Sequence, residues 1–205
     1  MRGTLIIFAK APVAGRVKTR LGADIGMARA AMLFRLMTAQ TVAAASNGPW
    51  RTMIAIDPPA AAAGYGALWP QRFERLIQSN GDLGRRMADV FARAPRGPAI
   101  IIGADAPGVR AVHIRKAFGA LAGHDAVFGP ATDGGYWLIG LAGRRAASGL
   151  FDGVRWSSEH ALADTIGGLP AGFGVAMIDR LRDMDDACDL KSLGARAFFR
   201  SLARL

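Results

Sequence analysis

Ile100-Ile101-Ile102-Gly103-Ala104-Asp105-Ala106-Pro107-Gly108 is the stretch on which the reading of this chain turns. Three consecutive isoleucines with no polar alternation predict a strand covered on both faces, as parallel strands between helical layers are. The run ends in Gly-Ala and is followed at once by a carboxylate. In open α/β sheets ligands bind beyond the carboxyl ends of the strands, so Asp105 falls at the binding edge. A hard oxygen ligand there suits Mg²⁺ or Mn²⁺, which fill their remaining positions with waters and substrate phosphates. N-capping the next helix, or pairing with an Arg, is the structural alternative.

Working outward, further short apolar runs predict strands at Thr4–Phe8, Thr52–Ile56, Arg75–Gln78, Ala99–Ile102, Ala126–Phe128, Trp137–Leu141 and Gly174–Ile178. Between most of them lie helical patterns, at Met27–Ala45, Leu83–Ala94, Val112–Leu121, Glu159–Ile166 and Ala187–Leu202, with Asp82 placed to N-cap the second. This alternation predicts an α/β fold with a mainly parallel sheet and helices on both faces. Nothing marks an internal repeat or a boundary, so 1–205 is expected to be a single domain. Asp57–Gly66, rich in Ala and Pro, reads as a mobile excursion.

Composition narrows the classes. No apolar run approaches the roughly 18 residues needed to span a bilayer, and Lys10 cuts short the apolar N-terminus before it could serve as a signal sequence. Cys188 is the only cysteine, which forbids an intrachain disulfide and fits a reducing cytoplasm. The net charge is +10, and 22 of the 26 basic residues are Arg, yet they are scattered rather than gathered in one run. Nucleic acid is therefore not the expected partner.

Three more loops at predicted strand ends carry chemistry. Ala9 to Leu21 follows the first strand and holds Lys10, Arg16, Lys18 and Arg20 together with Pro12, Gly15 and Thr19. Such a loop suits a di- or triphosphate, with Gly15 allowing close backbone approach and the cations neutralising phosphate. It lacks the first Gly and the Gly-Lys pair of a P-loop. Gly129-Pro130-Ala131-Thr132-Asp133-Gly134-Gly135-Tyr136-Trp137 places an acid before two glycines, which fits either a simple turn or a ligand loop. Tyr136 and Trp137 should face opposite sides of a strand, one in the core and one on a pocket. Asp179 to Asp189 holds five of the chain's fourteen Asp residues. Asp183 or Asp185 can complete a metal site with Asp105 while Asp186 caps the last helix; an arginine-paired structural turn is the alternative. His113, His124 and His160 lack zinc-ligand spacing, and Cys188 has no evident base, so nucleophilic hydrolase chemistry finds no support.

Taken in order, Phe8-Ala9-Lys10-Ala11-Pro12 through Lys18-Thr19-Arg20-Leu21, Gly81-Asp82-Leu83-Gly84-Arg85-Arg86-Met87, Ile102 to Pro107, Gly129-Pro130 with Asp133 to Gly140, and Asp183-Met184-Asp185 resemble one family. The chain is similar to the rSAM/selenodomain-associated transferase 1 family, which is glycosyltransferase-like and includes enzymes assigned to arsenosugar biosynthesis. Ala104 and Ala106 stand where Ser and Cys are common in that family, and Arg85 where an acid is common. The resemblance implies the nucleotide-diphospho-sugar transferase (GT-A-like) fold, with a nucleotide over the first half of the sheet and Asp105 as the strand-end metal ligand. The Lys18 to Leu21 segment also resembles 2-phospholactate guanylyltransferases, which share the fold.

These readings set the expectation of a cytoplasmic, Mg²⁺- or Mn²⁺-dependent transferase acting on a nucleotide-sugar or NTP and a small acceptor. Asp105 and Asp133 are its expected catalytic residues. Ala9, Lys10, Pro12, Gly15, Lys18, Thr19, Arg20 and Asp82 would bind the nucleotide, and Asp105, Asp183 and Asp185 the metal. Gly134, Gly135, Tyr136, Trp156 and Ser157 would shape the acceptor side.

Overall fold

Strand β1, Thr4–Lys10, sends Leu5, Ile7 and Ala9 to one face of the sheet and Ile6 to the other, all fully buried. Such a strand survives only where helices cover both faces, each buried Leu or Ile contributing about 1.5–3 kcal/mol. The computed structural model describes residues 3–65, 68–143, 149–182 and 184–192. Its sheet has seven strands in the order β3-β2-β1-β4-β6-β5-β7, where β2 is Arg51–Asp57, β3 Glu74–Ile77, β4 Ala99–Gly103, β5 Ala126–Pro130, β6 Tyr136–Leu141 and β7 Val175–Met177. All neighbours pair in parallel except β6, which runs antiparallel to β4 and β5.

The helices are α1 (Thr19–Ile25), α2 (Met27–Ala45), α3 (Leu83–Arg93), α4 (Ala111–Ala120), α5 (Ala161–Gly167) and α6 (Ala187–Ser192). Val42, Ala44 and Ala45 of α2 and Ile114 and Ala117 of α4 cover the Leu5 and Ile7 face. Met87, Val90 and Phe91 of α3, with Leu162 and Ile166 of α5, cover the Ile6 face. All seven expected strands are present, and Asp82 caps α3 by accepting the Arg85 amide at 2.8 Å.

Three readings need correction or addition. Within the Asp57–Gly66 stretch the described residues include a 3₁₀ turn at Pro59–Ala62 with Ala61 buried, an element its Ala- and Pro-rich composition did not announce. Helix α1 went unread, because its seven residues include Gly22 and lack a capping side chain. Of the long helix expected from Ala187, the described part is Ala187–Ser192; the remainder lies outside the described residues.

The parallel topology brings the segments after β1, β2, β3, β4 and β7 to one edge of the sheet. Antiparallel β6 starts at that same edge, so the β5–β6 connection, residues 131–135, joins them.

Candidate functional site

Asp105 lies two residues beyond the end of β4, between Ala104 and Ala106, which are both buried. The Ala104 amide donates to the Phe8 carbonyl at 3.1 Å, and the Ala104 carbonyl accepts from the Thr41 hydroxyl at 3.3 Å. These bonds fix the backbone on which the carboxylate stands.

Asp185 reaches the same place from the far side of the sheet. Beyond β7 the chain follows the end of β5, with the Ile178 amide donating to the Phe128 carbonyl and the Leu181 amide to the Pro130 carbonyl. Met184, fully buried, then packs with Val17, Leu21 and Phe34. This apolar anchor delivers its neighbour Asp185 to the first loop, where Asp189 accepts the Asp185 amide at 2.9 Å. As expected, Asp186 caps α6, accepting from the amides of Cys188 and Asp189.

Lys18 joins the two carboxylates. Its ammonium lies 2.8 Å from Asp105 Oδ2 and 2.7 Å from Asp185 Oδ1, while its side chain is only 7% exposed. Burial by itself pulls the pKa of this lysine down, but the charges of Asp105 and Asp185 outweigh that and hold it above the ordinary lysine value. The Lys18 backbone has φ 47, a left-handed conformation uncommon for a residue with a side chain.

The rest of the first loop faces solvent. Lys10, Gly15, Arg16, Thr19 and Arg20 are exposed, and among the described residues Lys10, Arg16 and Arg20 have no ion-pair partner. Pro12 is half-buried, whereas Ala9 and Ala11 are buried and tie the loop to the sheet; the Ala11 amide donates to the Asp57 carbonyl at 2.9 Å. Sequence reading missed two neighbours. Gln78 is 7% exposed and its amide donates to the carbonyls of Ala9 and Ala55, at 3.2 and 2.9 Å, stitching the ends of β1 and β2. Asp57, beside Lys10 in the strand register, pairs with Arg86 of α3 at 3.2 Å. Nothing in the local pattern around Gln78 or Asp57 marks them, since both act through contacts remote in sequence.

The 131–135 connection is a turn built by its acid. Asp133 is exposed and its Oδ1 accepts the Gly135 amide at 2.9 Å, the self-capping typical of an Asx turn. Gly134, at φ 89, lies against the backbone of Glu159; a Cβ there would come within 2.3 Å of the Glu159 carbonyl oxygen. Tyr136 and Trp137 do take different sides. Trp137 joins the Leu5 face, and Tyr136 packs on the other against Phe128 and Trp156, with ring centroids 5.5 and 6.5 Å away. The Tyr136 hydroxyl accepts from Thr165, and burial pushes its pKa above the ordinary tyrosine value. Trp156 is half-buried against Phe151, and Ser157 is exposed with φ 57.

The structure therefore unites Asp105, Asp185 and Lys18, with the cationic loop on the same sheet edge. Asp183 lies outside the described residues. Among those described, no three His, Cys, Asp or Glu side chains converge as a complete metal cage. Two adjacent, partly exposed carboxylates nevertheless suit Mg²⁺ or Mn²⁺, hard cations that keep waters and phosphate oxygens as their other ligands. A cation, the Lys18 ammonium, already sits between them.

Comparison with known proteins agrees with the architecture. A candidate nucleotide-diphospho-sugar transferase from Desulfovibrio desulfuricans G20 superposes with a TM-score of 0.87 at 28% identity, over 100% of this chain and 98% of that one. The inositol-1-phosphate CTP transferase from T. maritima has a TM-score of 0.61 at 13% identity, over 98% and 96% of the two chains. Rv0371c from Mycobacterium tuberculosis H37Rv, in complex with manganese, has a TM-score of 0.56 at 15% identity, over 94% and 98%. The fold is that of the nucleotide-diphospho-sugar transferases. No curated protein matches the chain by sequence. The signature of one family covers residues 38–158, more than half of the chain, and the protein is a member of that family, DUF2064, described as uncharacterized proteins conserved in bacteria.

Proposed function

We propose that this protein is a divalent-metal-dependent transferase that uses a nucleotide-activated substrate, and that it moves a glycosyl group from an NDP-sugar to a small acceptor. The observation that carries the reading is the meeting of Asp105 and Asp185 at the carboxyl edge of the sheet, facing a loop whose exposed cations have no described partner. The 28% identical D. desulfuricans protein, a candidate nucleotide-diphospho-sugar transferase, supports it, as does the resemblance to the rSAM-associated transferases. The reading takes 1–205 as one domain and places it in the cytoplasm.

In this reading Asp105 and Asp185, with Asp183 as a further donor, would hold Mg²⁺ or Mn²⁺, which when bound neutralises charge on the diphosphate leaving group. Lys10, Arg16, Lys18 and Arg20 bind the diphosphate, and Ala9, Pro12, Gly15, Thr19 and Asp82 line the nucleotide's path. The acceptor hydroxyl forms a bond to the anomeric carbon as the bond from that carbon to the diphosphate oxygen breaks, and the acceptor's proton passes to a base. Asp133 supplies that base in an inverting reaction, through the oxygen not engaged by Gly135. Gly134, Gly135, Tyr136, Trp156 and Ser157 shape the acceptor side, the buried Tyr136 hydroxyl holding it rigid rather than exchanging protons.

One observation favours a rival. Two carboxylates side by side also suit nucleotidyl transfer, the class of the T. maritima CTP transferase, in which the acceptor's phosphate attacks and pyrophosphate leaves. Thermal-shift measurements with UDP, GDP, CDP, several NDP-sugars, GTP and CTP, each with Mg²⁺, Mn²⁺ or chelator, separate the two. Metal-dependent stabilisation by an NDP or NDP-sugar that Asp105→Ala abolishes is the expected result. Preference for an NTP transfers the reading to nucleotidyl transfer, and no response to any nucleotide overturns both.

A further inference from the structure

Lys18 does not extend from the loop as the other three cations do. Its ammonium is drawn inward to two carboxylates, one from the middle of the chain and one from near its end, 2.8 Å from Asp105 and 2.7 Å from Asp185, and only 7% of the side chain meets solvent. Residues on either side of it, Val17 and Leu21, are buried in one apolar cluster with Met184. The loop and the acidic segment are thus clamped together, with the ammonium standing between the two oxygens that a divalent cation would need. A unit charge cannot share that space with a divalent cation, because the two would repel strongly at such short range.

We propose that Lys18 is a built-in stand-in for the metal. It bridges Asp105 and Asp185 in the metal-free protein and offsets part of their charge, and a divalent cation binds only by displacing it, which frees the ammonium for the phosphates of the incoming substrate. The inference rests on the assignment of Asp105 and Asp185 as metal ligands. It adds a coupling: the metal and the phosphate-binding lysine become available in one step, so the diphosphate site is complete only when the metal is present. Removing the stand-in should therefore tighten metal binding while weakening phosphate binding. A lysine serving only to hold the loop in place predicts loss of both.

The experiment measures Mn²⁺ binding by electron paramagnetic resonance, without nucleotide, to the wild type, Lys18→Met, Lys18→Arg and Asp105→Asn. Lys18→Met should bind Mn²⁺ about tenfold more tightly than wild type, since affinity is no longer reduced by the fraction of molecules held closed. Lys18→Arg, which keeps the competing charge, should stay near wild type, and Asp105→Asn should bind weakly. Titration of inorganic pyrophosphate into the Mn²⁺-loaded proteins should show Lys18→Met binding it several-fold more weakly than wild type. Melting temperatures in chelator and in Mn²⁺ guard against misfolding: Lys18→Met should melt below wild type in chelator and recover more than wild type when Mn²⁺ is added. Equal or weaker Mn²⁺ binding by Lys18→Met, with Asp105→Asn still impaired, overturns the stand-in role and leaves the metal site intact. Mn²⁺ binding that ignores both substitutions overturns the metal assignment as well.

Discussion

Gly129 leaves room for the indole of Trp137: a Cβ on Gly129 would lie 2.4 Å from Cε2 of that ring. The cause is a β-bulge. Pro130 pairs with Tyr136 and Gly129 with Leu138, so Trp137 is the extra residue and its side chain shares the face of Leu138. From there the Trp137 Nε1 donates to the Asp179 carbonyl at 3.1 Å, holding the start of the segment that carries Asp185. Gly129→Ala should destabilise the protein by about 1–3 kcal/mol through overpacking, with a shift in tryptophan emission. Urea unfolding followed by fluorescence checks it, and an unchanged midpoint would refute the packing argument.

Gln78 should behave as a structural stitch whose loss is felt at the phosphate loop. Its amide donates to Ala9 and Ala55, both in buried strands, so Gln78→Leu leaves two carbonyls short of a donor. The expected cost is about 1–3 kcal/mol. Hydrogen exchange should also rise in residues 9–13, which hang from Ala9. Exchange rising only around residue 78 would show that the stitch does not support the loop.

His113 should make stability fall as the solution is acidified below its ordinary pKa of 6.5. Burial, with Arg110 and Lys116 nearby and Asp179 only partly opposing them, keeps the folded pKa below that value. Above pH 6.5 the ring is neutral in both states; below it the unfolded chain takes the proton first, and stability drops until the folded pKa is passed. The ring lies edge-on to Trp137 at 5.9 Å and its Nδ1 accepts the Arg110 amide, so no water replaces that environment cheaply. Melting temperatures of wild type and His113→Gln across this range should diverge, the variant losing less on acidification.

Asp164 acts in the same sense as His113, but at lower pH. Arg155 donates to it from its guanidinium at 2.8 and 2.9 Å and from its backbone amide at 3.0 Å, lowering the carboxylate pKa from 3.8 to about 2. The stabilisation it gives is complete above 3.8 and is lost as pH falls through about 2. Asp164→Asn should lower stability at neutral pH and flatten the acid limb of the stability curve in that window. Acid titration followed by circular dichroism tests this, and superimposable acid limbs would count against the pair.

What the chain's local chemistry determined by itself was its layering and its chemical edge. Runs such as Leu5–Phe8 and Ile100–Ile102 have no polar alternation, which requires cover on both faces, and an acid or a cationic loop placed right after such a run lands at the carboxyl edge. Caps were legible for the same reason, since the Asp82 and Asp186 carboxylates meet amides only two or three residues away. The sheet order, the reversal of β6 and the bulge at Trp137 were decided by tertiary packing, because each depends on which strand lies alongside which. So was the choice between Asp105 as a cap and Asp105 as half of a carboxylate pair. That pair forms because Met184 is buried with Val17 and Leu21, a contact between opposite ends of the chain, and the lysine drawn in between could be assigned no partner until that contact existed.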